Sequence, residues 1–224
     1  DDTTTSFNES CERLQNRLLD WIPEKSGRIL DVGCGPGAST RHLFNHYKPN
    51  DVWAINISEK QIEETKRNAP GCHAQVMNAV DLQFEDDFFD AVHSIEAAFH
   101  FETRRRFFDE TLRVLKPDGM LVLSDVLFSC EERFNHHPHL PSPENHIETV
   151  EAYEQVLVEA GFRNVVVEDV TDDVWGAHFL QVLNSAHKGF YEGRLNIVEL
   201  TDTLWLYYNL NTITKVCLFA RGQK

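Results

Sequence analysis

Three closely spaced glycines directly after a short apolar segment are the feature that most limits how this chain can fold. The segment "RILDV" at residues 28–32 has the length and apolar character of a buried strand, and Gly33, Gly35 and Gly37 follow it. A glycine turn between a strand and a helix lets a ligand approach bare backbone. The free N–H groups of the helix start can then bind something anionic. The turn is therefore a predicted ligand site.

Strand and helix patterns alternate along the rest of the chain. The predicted strands are "RILDV", "VWAINIS", "CHAQVM", "FDAVHSI", "MLVLSDV", residues 163–170 and "TKVCLFAR". The predicted helices cover residues 8–21, 38–47 and 58–68, a stretch through "RRRFFDETLRVL", and residues 146–160, 172–192 and 195–210. Such alternation is typical of a parallel sheet covered on both faces. The predicted fold class is α/β, a doubly wound, mostly parallel seven-stranded sheet with an inserted helical lid or cap.

The pattern predicts a single domain over residues 1–224. Within it, residues 1–26 form an N-terminal helical segment, and residues 27–127 form a core around the glycine turn. Residues 128–145, rich in proline and histidine and without periodicity, form a predicted lid loop. Residues 172–210 depart from simple alternation and are the predicted helical cap, inserted before the last strand.

The charge balance limits the possible partners. The net charge of −15 disfavours nucleic acid and acidic lipid surfaces, because phosphate binding needs clustered lysine and arginine. Arg104, Arg105 and Arg106 lie in an amphipathic helix pattern and are predicted to form a solvated face. The five cysteines include no CxxC pair, and the first ten residues lack the basic and apolar regions of a secretory signal. A cytoplasmic location is expected.

The spacing of the glycines can be compared with that of known nucleotide-binding turns. A nicotinamide dehydrogenase typically has GxGxxG, whereas this turn reads "GCGPG". No Gly-Lys-Ser/Thr follows, which excludes a Walker loop. The spacing suits a ligand with a carboxylate and an ammonium group better than a pyrophosphate.

"ILDVGCGPGAST" closely resembles the first motif of class I S-adenosylmethionine-dependent methyltransferases. The resemblance continues through "VWAINISEKQIEETKRNA", "VMNAVDLQFEDDFFDAVHSIEAAFHF" and "RVLKPDGMLVLSDV", so it covers roughly residues 27–126. More narrowly, the chain resembles a small-molecule subgroup that includes sugar and polyketide O-methyltransferases, tocopherol methyltransferases and cyclopropane synthases. The resemblance implies S-adenosylmethionine as cofactor and S-adenosylhomocysteine as product.

The same resemblance implies which residues bind the cofactor. Asp31 and the backbone of Gly33, Gly35 and Gly37 should hold its amino-acid end, Asn56 and Gln61 the ribose, and Asn78, Ala79, Val80 and Ile57 the adenine; Ser94 completes the set. Most class I members have acids where Asn56 and Asn78 stand. An asparagine carbonyl can accept the same hydrogen bonds. It lacks the negative charge of a carboxylate, which makes such bonds roughly twice as strong.

His100 is the predicted general base, and Asp125 is the acid predicted to orient it. The resemblance to sugar O-methyltransferases places His100 beside the reacting methyl group, and Asp125 ends the neighbouring strand. An imidazole titrates near working pH and can remove a hydroxyl proton. In the simpler interpretation, His100 begins a helix and Asp125 braces a loop.

Other polar residues have weaker claims to a role in the site. Glu96 could bind cofactor or substrate, or it could place charge at the start of the next helix. His136, His137 and His139 fit no familiar tetrahedral metal site, so no metal is predicted. His93 faces an apolar strand pattern and is predicted to be a packed or hydrogen-bonded core histidine.

The leading hypothesis is methyl transfer from S-adenosylmethionine to a small-molecule acceptor, most simply to a hydroxyl group in natural-product or secondary metabolism. C- or N-methylation is the close alternative, and a noncatalytic binding module of the same fold is the rival from another class. The sequence leaves open whether the chain works alone, as a homodimer or as a module of a larger synthase.

Overall fold

The computed structural model describes residues 7–129 and 142–224. The seven strands are β1 Ile29–Val32, β2 Val52–Asn56, β3 His73–Val76, β4 Phe89–Ile95, β5 Leu115–Phe128, β6 Arg163–Asp169 and β7 Thr214–Gln223. The α-helices are α1 Phe7–Leu19, α2 Ala38–Leu43, α3 Glu59–Asn68, α4 Arg104–Val114, α5 Val150–Ala160, α6 Thr171–Tyr191 and α7 Ile197–Ile213. Most of the predicted lid and its three histidines, His136, His137 and His139, lie outside the described residues.

All seven strands form one sheet in the order β3-β2-β1-β4-β5-β7-β6. Strands β1 to β5 are parallel, and β7 runs antiparallel to both β5 and β6. The chain moves outward from β1 to β3 and then returns to place β4 on the other side of β1. In such sheets ligands bind at the carboxyl ends of the strands, where the order reverses. The predicted fold class is confirmed, and the reversal lies between β1 and β4.

The sheet is buried on both faces. In β1, Ile29 and Leu30 are both completely buried but belong to two different apolar clusters. Successive strand residues point to opposite faces, so each cluster fills one side of the sheet. This double burial explains why the parallel strands appear in the sequence as continuous apolar runs.

Helix α3 begins as its sequence predicts. The hydroxyl of Ser58 accepts a hydrogen bond from the Gln61 backbone N–H at 3.4 Å, an N-cap that satisfies one of the free donors of the first turn. The helix predicted over residues 38–47 is shorter in the structure, since α2 ends at Leu43 and the chain continues in turns.

The two long helices α6 and α7 lie between β6 and β7 in the chain, where the helical cap is predicted, and they pack on each other. Helix α7 has a complete capping box: the side chain of Asn196 accepts from the backbone of Glu199, and the Glu199 carboxylate accepts from the backbone of Asn196. Across the described ranges, no helix is both long and apolar enough to cross a membrane.

Candidate active site

The candidate site lies at the carboxyl edge of the sheet, around the turn that follows β1. Register brings the strand ends level: Asp31 pairs with His93, and Ile95 pairs with Ser124. The backbone N–H of Gly33 donates to the carbonyl of Ile55 at 2.9 Å, which ties the turn to β2. The residues just after β1, β2, β4 and β5 therefore meet at one edge.

The glycines of the turn serve two purposes. A Cβ on Gly33 would lie 2.5 Å from Cβ of Ala97, and one on Gly37 would lie 2.8 Å from Cα of Thr65. What comes close to the backbone at these two positions is the protein itself. A Cβ on Gly35 would meet nothing within 4 Å, so this peptide faces open space. The structure therefore leaves room for a ligand against the backbone at Gly35.

Asp31 braces the turn from inside the protein. Its side chain is only 1% exposed, and its Oδ2 accepts hydrogen bonds from the hydroxyls of Ser39 at 2.8 Å and Thr40 at 2.7 Å. Both hydroxyls belong to α2, so the carboxylate fixes the start of that helix against β1. A direct contact of Asp31 with the cofactor stays a prediction.

His93 is a buried core histidine, as its sequence pattern predicts. Its side chain is fully buried, and its Nδ1 lies 3.3 Å from Oδ1 of Asp31. Ser94, the next residue on β4, is also fully buried, and its hydroxyl donates to the carbonyl of Val32 at 2.9 Å. These contacts assign Ser94 a bracing task between β4 and β1, and its predicted contribution to the cofactor stays untested.

Both asparagines predicted for the cofactor stabilise local turns. The side-chain oxygen of Asn56 accepts from the backbone N–H of Ser58 at 2.9 Å, and that of Asn78 accepts from the backbone N–H of Val80 at 3.1 Å. An amide oxygen has two lone pairs, so each can accept one more hydrogen bond. The side chains are partly exposed at the ends of β2 and β3, where ribose and adenine are predicted to lie.

Ile57 supplies an apolar surface beside Asn56. Its side chain is 73% exposed at the carboxyl end of β2, which is unusual for a large apolar residue next to a buried strand. Ala79 and Val80 are almost completely buried, so only their backbone could contact a ligand. The partly exposed Gln61 lies in the first turn of α3. Together with the open backbone at Gly35, these residues fit a ligand that has a polar end and a flat apolar ring.

His100 is presented by a short 3-10 helix, Ala98–His100, that follows β4. The imidazole is exposed, and its ring centroid lies 4.1 Å from that of Phe99, which in turn packs edge-on against Phe128 at 5.3 Å. These aromatic contacts restrict the position of the imidazole. His100 follows β4, so it lies at the same edge of the sheet as the glycine turn.

Glu96 is the first of the two residues between β4 and this 3-10 helix, and it has a left-handed backbone with φ of 47°. Its backbone N–H donates to the carbonyl of Ser124 at 2.9 Å, which holds the residue in a conformation that costs free energy. The side chain is exposed at the carboxyl edge of the sheet, and the neighbouring protein still desolvates the carboxylate in part. This desolvation, followed by the charge of Asp125, raises the pKa of Glu96.

Groups from the N-terminal helix and from the cap lie near enough to respond to the charge of Glu96. Burial and then the charge of Glu96 raise the pKa of Cys11 in α1, and the same two causes raise the pKa of Tyr207 in α7. Glu96 thus follows the end of β4, near Cys11 of α1 and Tyr207 of α7. The sequence indicated where Glu96 lies. It did not decide between binding of cofactor or substrate and a charge at the start of the next helix.

Asp125 belongs to a buried hydrogen-bond network. Its Oδ2 accepts from Nε of Arg104 at 2.6 Å and from the hydroxyl of Tyr153 at 2.9 Å, and its Oδ1 accepts from the backbone N–H of Val126 at 2.9 Å. These three donors fix the orientation of the carboxylate. The direct pairing of Asp125 with His100 stays a prediction, and the observed contacts give Asp125 the task of holding Arg104.

The prediction that the three arginines form a solvated face is wrong for Arg104. Its side chain is 2% exposed, while Arg105 and Arg106 are exposed as predicted. Arg104 is the first residue of the stripe that it forms with Phe107, Phe108 and Thr111, all buried on the same face of α4. The helical spacing of Arg104 from these buried residues could have indicated its burial, but a charged side chain is normally predicted to be exposed.

Asn145 is a second residue of the network that sequence reasoning missed. It falls within the predicted lid, yet it is 3% exposed and ends the short 3-10 helix Pro143–Asn145. No periodicity surrounds it, so the sequence offered no signal of its burial. Across residues 7–129 and 142–224, no group of three or more metal-binding side chains is found.

Comparisons with known proteins identify methyltransferases as relatives of this chain. Residues 30–123 match a protein family described as "Methyltransferase domain". O-methyltransferase resE of Aspergillus sclerotiorum is 31% identical over 183 residues, which cover 74% of this chain and 66% of that protein. A 2-methyl-6-phytyl-1,4-hydroquinone methyltransferase of a Synechocystis species is 42% identical over 110 residues, which cover 48% of this chain and 34% of that protein.

The fold is shared with solved structures at low sequence identity. Phosphoethanolamine N-methyltransferase 2 of Haemonchus contortus, solved with S-adenosyl-L-methionine, superposes with a TM-score of 0.79 at 16% identity, covering 100% of this chain and 58% of that one. The chain spans about two thirds or less of the length of these relatives. From the matched motifs, the sheet order and these relatives, the chain belongs to the class I S-adenosylmethionine-dependent methyltransferases.

Proposed function

We propose that this chain transfers a methyl group from S-adenosylmethionine to a small, partly hydrophobic acceptor, most simply to a hydroxyl oxygen. The observation that carries the proposal is the exposed imidazole of His100 at the same sheet edge as the glycine turn. Relatives named as O-methyltransferases support an oxygen acceptor.

The cofactor-binding side of the cleft follows from the residues already described. The backbone at Gly35 is open to the amino-acid end of the cofactor, while Asn56, with Gln61 nearby, would accept from the ribose hydroxyls. Asn78 would accept from the adenine amine, and Ile57 would cover one face of the ring. The bound cofactor supplies the electrophilic methyl group. The task of the protein is then alignment and exclusion of water.

His100 acts on the acceptor. As the acceptor oxygen bonds to the methyl carbon, the methyl–sulfur bond of the cofactor would break and its electron pair would stay on sulfur, giving S-adenosylhomocysteine. The hydroxyl proton of the acceptor would pass to an imidazole nitrogen of His100. Imidazole has an ordinary pKa of about 6.5, close to neutral pH, so a neutral imidazole can accept this proton without a large energetic cost. The packing of its ring against Phe99 keeps the base in place between turnovers.

Glu96 orients the acceptor and leaves a second candidate open. Its accessible carboxylate can accept a hydrogen bond from a polar group of the acceptor. The same negative charge would attract an ammonium group, and this observation favours N-methylation as the alternative chemistry. An amine that binds as its ammonium form must also lose a proton before it attacks, but it depends on His100 less than a hydroxyl does.

The experiment has two stages. Calorimetric titration with S-adenosylmethionine and S-adenosylhomocysteine tests the cofactor side, and saturable one-site binding in the micromolar range, about −8 kcal/mol, is expected. Methyl-labelled cofactor is then incubated with matched hydroxylated and amine acceptors, using the wild type and His100→Ala. With a hydroxyl acceptor, His100→Ala should lower kcat by about 10²- to 10⁴-fold and leave cofactor affinity unchanged.

His73→Ala is the matched control, because His73 is also exposed but lies at the amino end of β3, away from the cleft. Full turnover of a hydroxyl acceptor by His100→Ala would overturn the assignment of the base. Turnover of amines alone, with a small effect of His100→Ala, would favour N-methylation. No binding of either cofactor form would leave the noncatalytic binding module as the better description.

A further inference from the structure

We propose that Asn145 is a positioning residue for His100: its side-chain amide holds the 3-10 helix that carries the base against the start of α4. The inference rests on the proposed function of His100. It adds a residue that lies outside the cofactor site and far from the base in sequence.

The amide of Asn145 joins two backbone segments that flank His100. Its Nδ2 donates to the carbonyls of Ala98 at 3.2 Å and Phe99 at 3.0 Å, the two residues directly before His100. Its Oδ1 accepts from the backbone N–H of Arg104 at 2.6 Å, four residues after His100. With the side chain 3% exposed, water does not compete for these bonds.

The contact with Arg104 is a helix cap supplied from another part of the chain. The N-cap residue of α4 is Thr103, whose side chain makes no capping hydrogen bond. Asn145 supplies the oxygen that a serine or aspartate at the N-cap usually provides, and so satisfies one free donor of the first turn. One side chain therefore sets the distance between this helix start and the 3-10 helix.

The backbone of Asn145 is fixed in turn by the buried ion pair. The guanidinium of Arg104 donates from Nη1 to the Asn145 carbonyl and from Nη2 to the carbonyl of Val126 at 2.9 Å. Its Nε binds Asp125. A continuous set of contacts thus runs from Asp125 through Arg104 and Asn145 to the 3-10 helix. Through this network Asp125 would support His100 indirectly, while a direct contact between the two stays a prediction.

Asn145→Asp separates positioning from folding better than Asn145→Ala does. Asn145→Ala removes both halves of the amide and can unfold the region. Asn145→Asp has the same shape and keeps the oxygen that caps α4 beside the cationic Arg104. It replaces the Nδ2 donor with an acceptor that repels the carbonyls of Ala98 and Phe99. Asn184→Asp, on the exposed face of α6, is the matched control for the added charge.

The first measurement follows the imidazole of His100 by NMR titration, with His100→Gln used to assign its signal. We expect Asn145→Asp to displace the chemical shift and the titration midpoint of His100, while Asn184→Asp leaves both in place. This readout needs no acceptor, so it tests the positioning even if the chain turns out not to methylate a hydroxyl. A His100 signal that is identical in the wild type and Asn145→Asp would overturn the proposal.

The second measurement is steady-state kinetics with a hydroxyl acceptor. Displacement of a base by about 1 Å can cost about 10²-fold in rate, so Asn145→Asp should lower kcat by about 10- to 100-fold. The KM for the acceptor and the affinity for S-adenosylmethionine should change by less than about threefold. A parallel loss of cofactor affinity and kcat would show a general structural role and overturn the proposal. An inactive wild type with a displaced His100 signal would instead count against the proposed function alone.

Discussion

Nε of Arg104 lies 2.6 Å from Oδ2 of Asp125, and both side chains are almost completely buried. The hydroxyl of Tyr153 donates to the same oxygen, so the buried carboxylate accepts hydrogen bonds from two side chains. Burial by itself lowers the pKa of Arg104, but the charge of Asp125 and the contact with Tyr153 raise it overall. The ion pair ties the start of α4 to the later part of β5, and the 3-10 helix that carries the candidate base comes just before α4 in the chain.

Removal of Arg104 should be far more damaging than removal of the arginine beside it. Arg104→Ala leaves the buried charge of Asp125 without its partner, which typically costs about 3–5 kcal/mol of folding free energy. Arg105 forms an exposed i,i+4 pair with Asp109, and Arg105→Ala should cost about 1 kcal/mol or less. Urea unfolding of the three proteins measures both values. Equal destabilisation by the two variants would contradict the role of the buried pair.

Gly33 and Gly35, two glycines of the turn, should respond differently to alanine. Gly33→Ala places a Cβ 2.5 Å from Cβ of Ala97 at a φ of 76°, so it combines strain with a clash. The expected cost is about 2–4 kcal/mol, with loss of cofactor binding. Gly35→Ala has only the strain of its left-handed backbone and should cost about 1–2 kcal/mol.

Thermal unfolding and calorimetric titration check both variants. Gly193→Ala is a suitable control for strain alone, because Gly193 also has a left-handed φ and open space, far from the turn in sequence. If Gly35→Ala weakens cofactor binding no more than Gly193→Ala does, the backbone at Gly35 is not the cofactor surface.

Most of the fold could be predicted because each strand–helix unit is local. The β4 residues "FDAVHSI" and the N-cap Ser58 are where the sequence places them, since periodicity and capping are properties of neighbouring residues. The site was harder to predict, because its contacts join residues that are distant in the chain. The amide of Asn145 reaches back 46 residues to Phe99, and a loop without periodicity gives no sign of such a contact.

The sequence also suggested ligand contacts for two side chains that make hydrogen bonds within the fold, and those ligand contacts stay predictions. Ser94 donates to Val32, and Asp31 accepts from Ser39 and Thr40. A strand-end residue can serve either a ligand or a neighbouring strand, and only the three-dimensional register distinguishes the two. The burial of Arg104 was equally hard to predict. A charged residue on an apolar stripe is buried only when the fold brings it a partner such as Asp125, which is 21 residues away in the chain.

Restoring an acid at the end of β2 should strengthen cofactor binding. In Asn56→Asp, one carboxylate oxygen can keep the hydrogen bond from the backbone of Ser58, and the charge strengthens the bonds to the ribose hydroxyls. We expect affinity for S-adenosylmethionine to rise by about fivefold, equivalent to about 1 kcal/mol. Asn56→Ala should weaken it by a similar factor. Calorimetry that shows no difference between the three proteins would place the ribose elsewhere.

Glu96→Gln should make the protein more stable at alkaline pH and less able to bind its acceptor. Desolvation and the charge of Asp125 raise the pKa of Glu96 above its ordinary value of 4.5. Folding therefore shifts the carboxyl toward its protonated form. Between pH 4.5 and the raised pKa, the folded chain binds more protons than the unfolded chain. The contribution of Glu96 to stability is fully present below pH 4.5 and is lost as the pH rises through the raised pKa.

Glutamine has the shape of the protonated carboxyl and no charge at any pH. The gain in unfolding free energy of Glu96→Gln over the wild type should thus be largest near pH 8 and shrink steadily as the pH falls toward 4.5. Glu154→Gln, on the exposed face of α5, is the control and should show no such trend. Urea unfolding at several pH values measures the gain, and acceptor KM measured in parallel should rise. A gain that does not change with pH would mean that the folded protein does not desolvate the Glu96 carboxylate, and it would contradict the raised pKa on which this prediction depends.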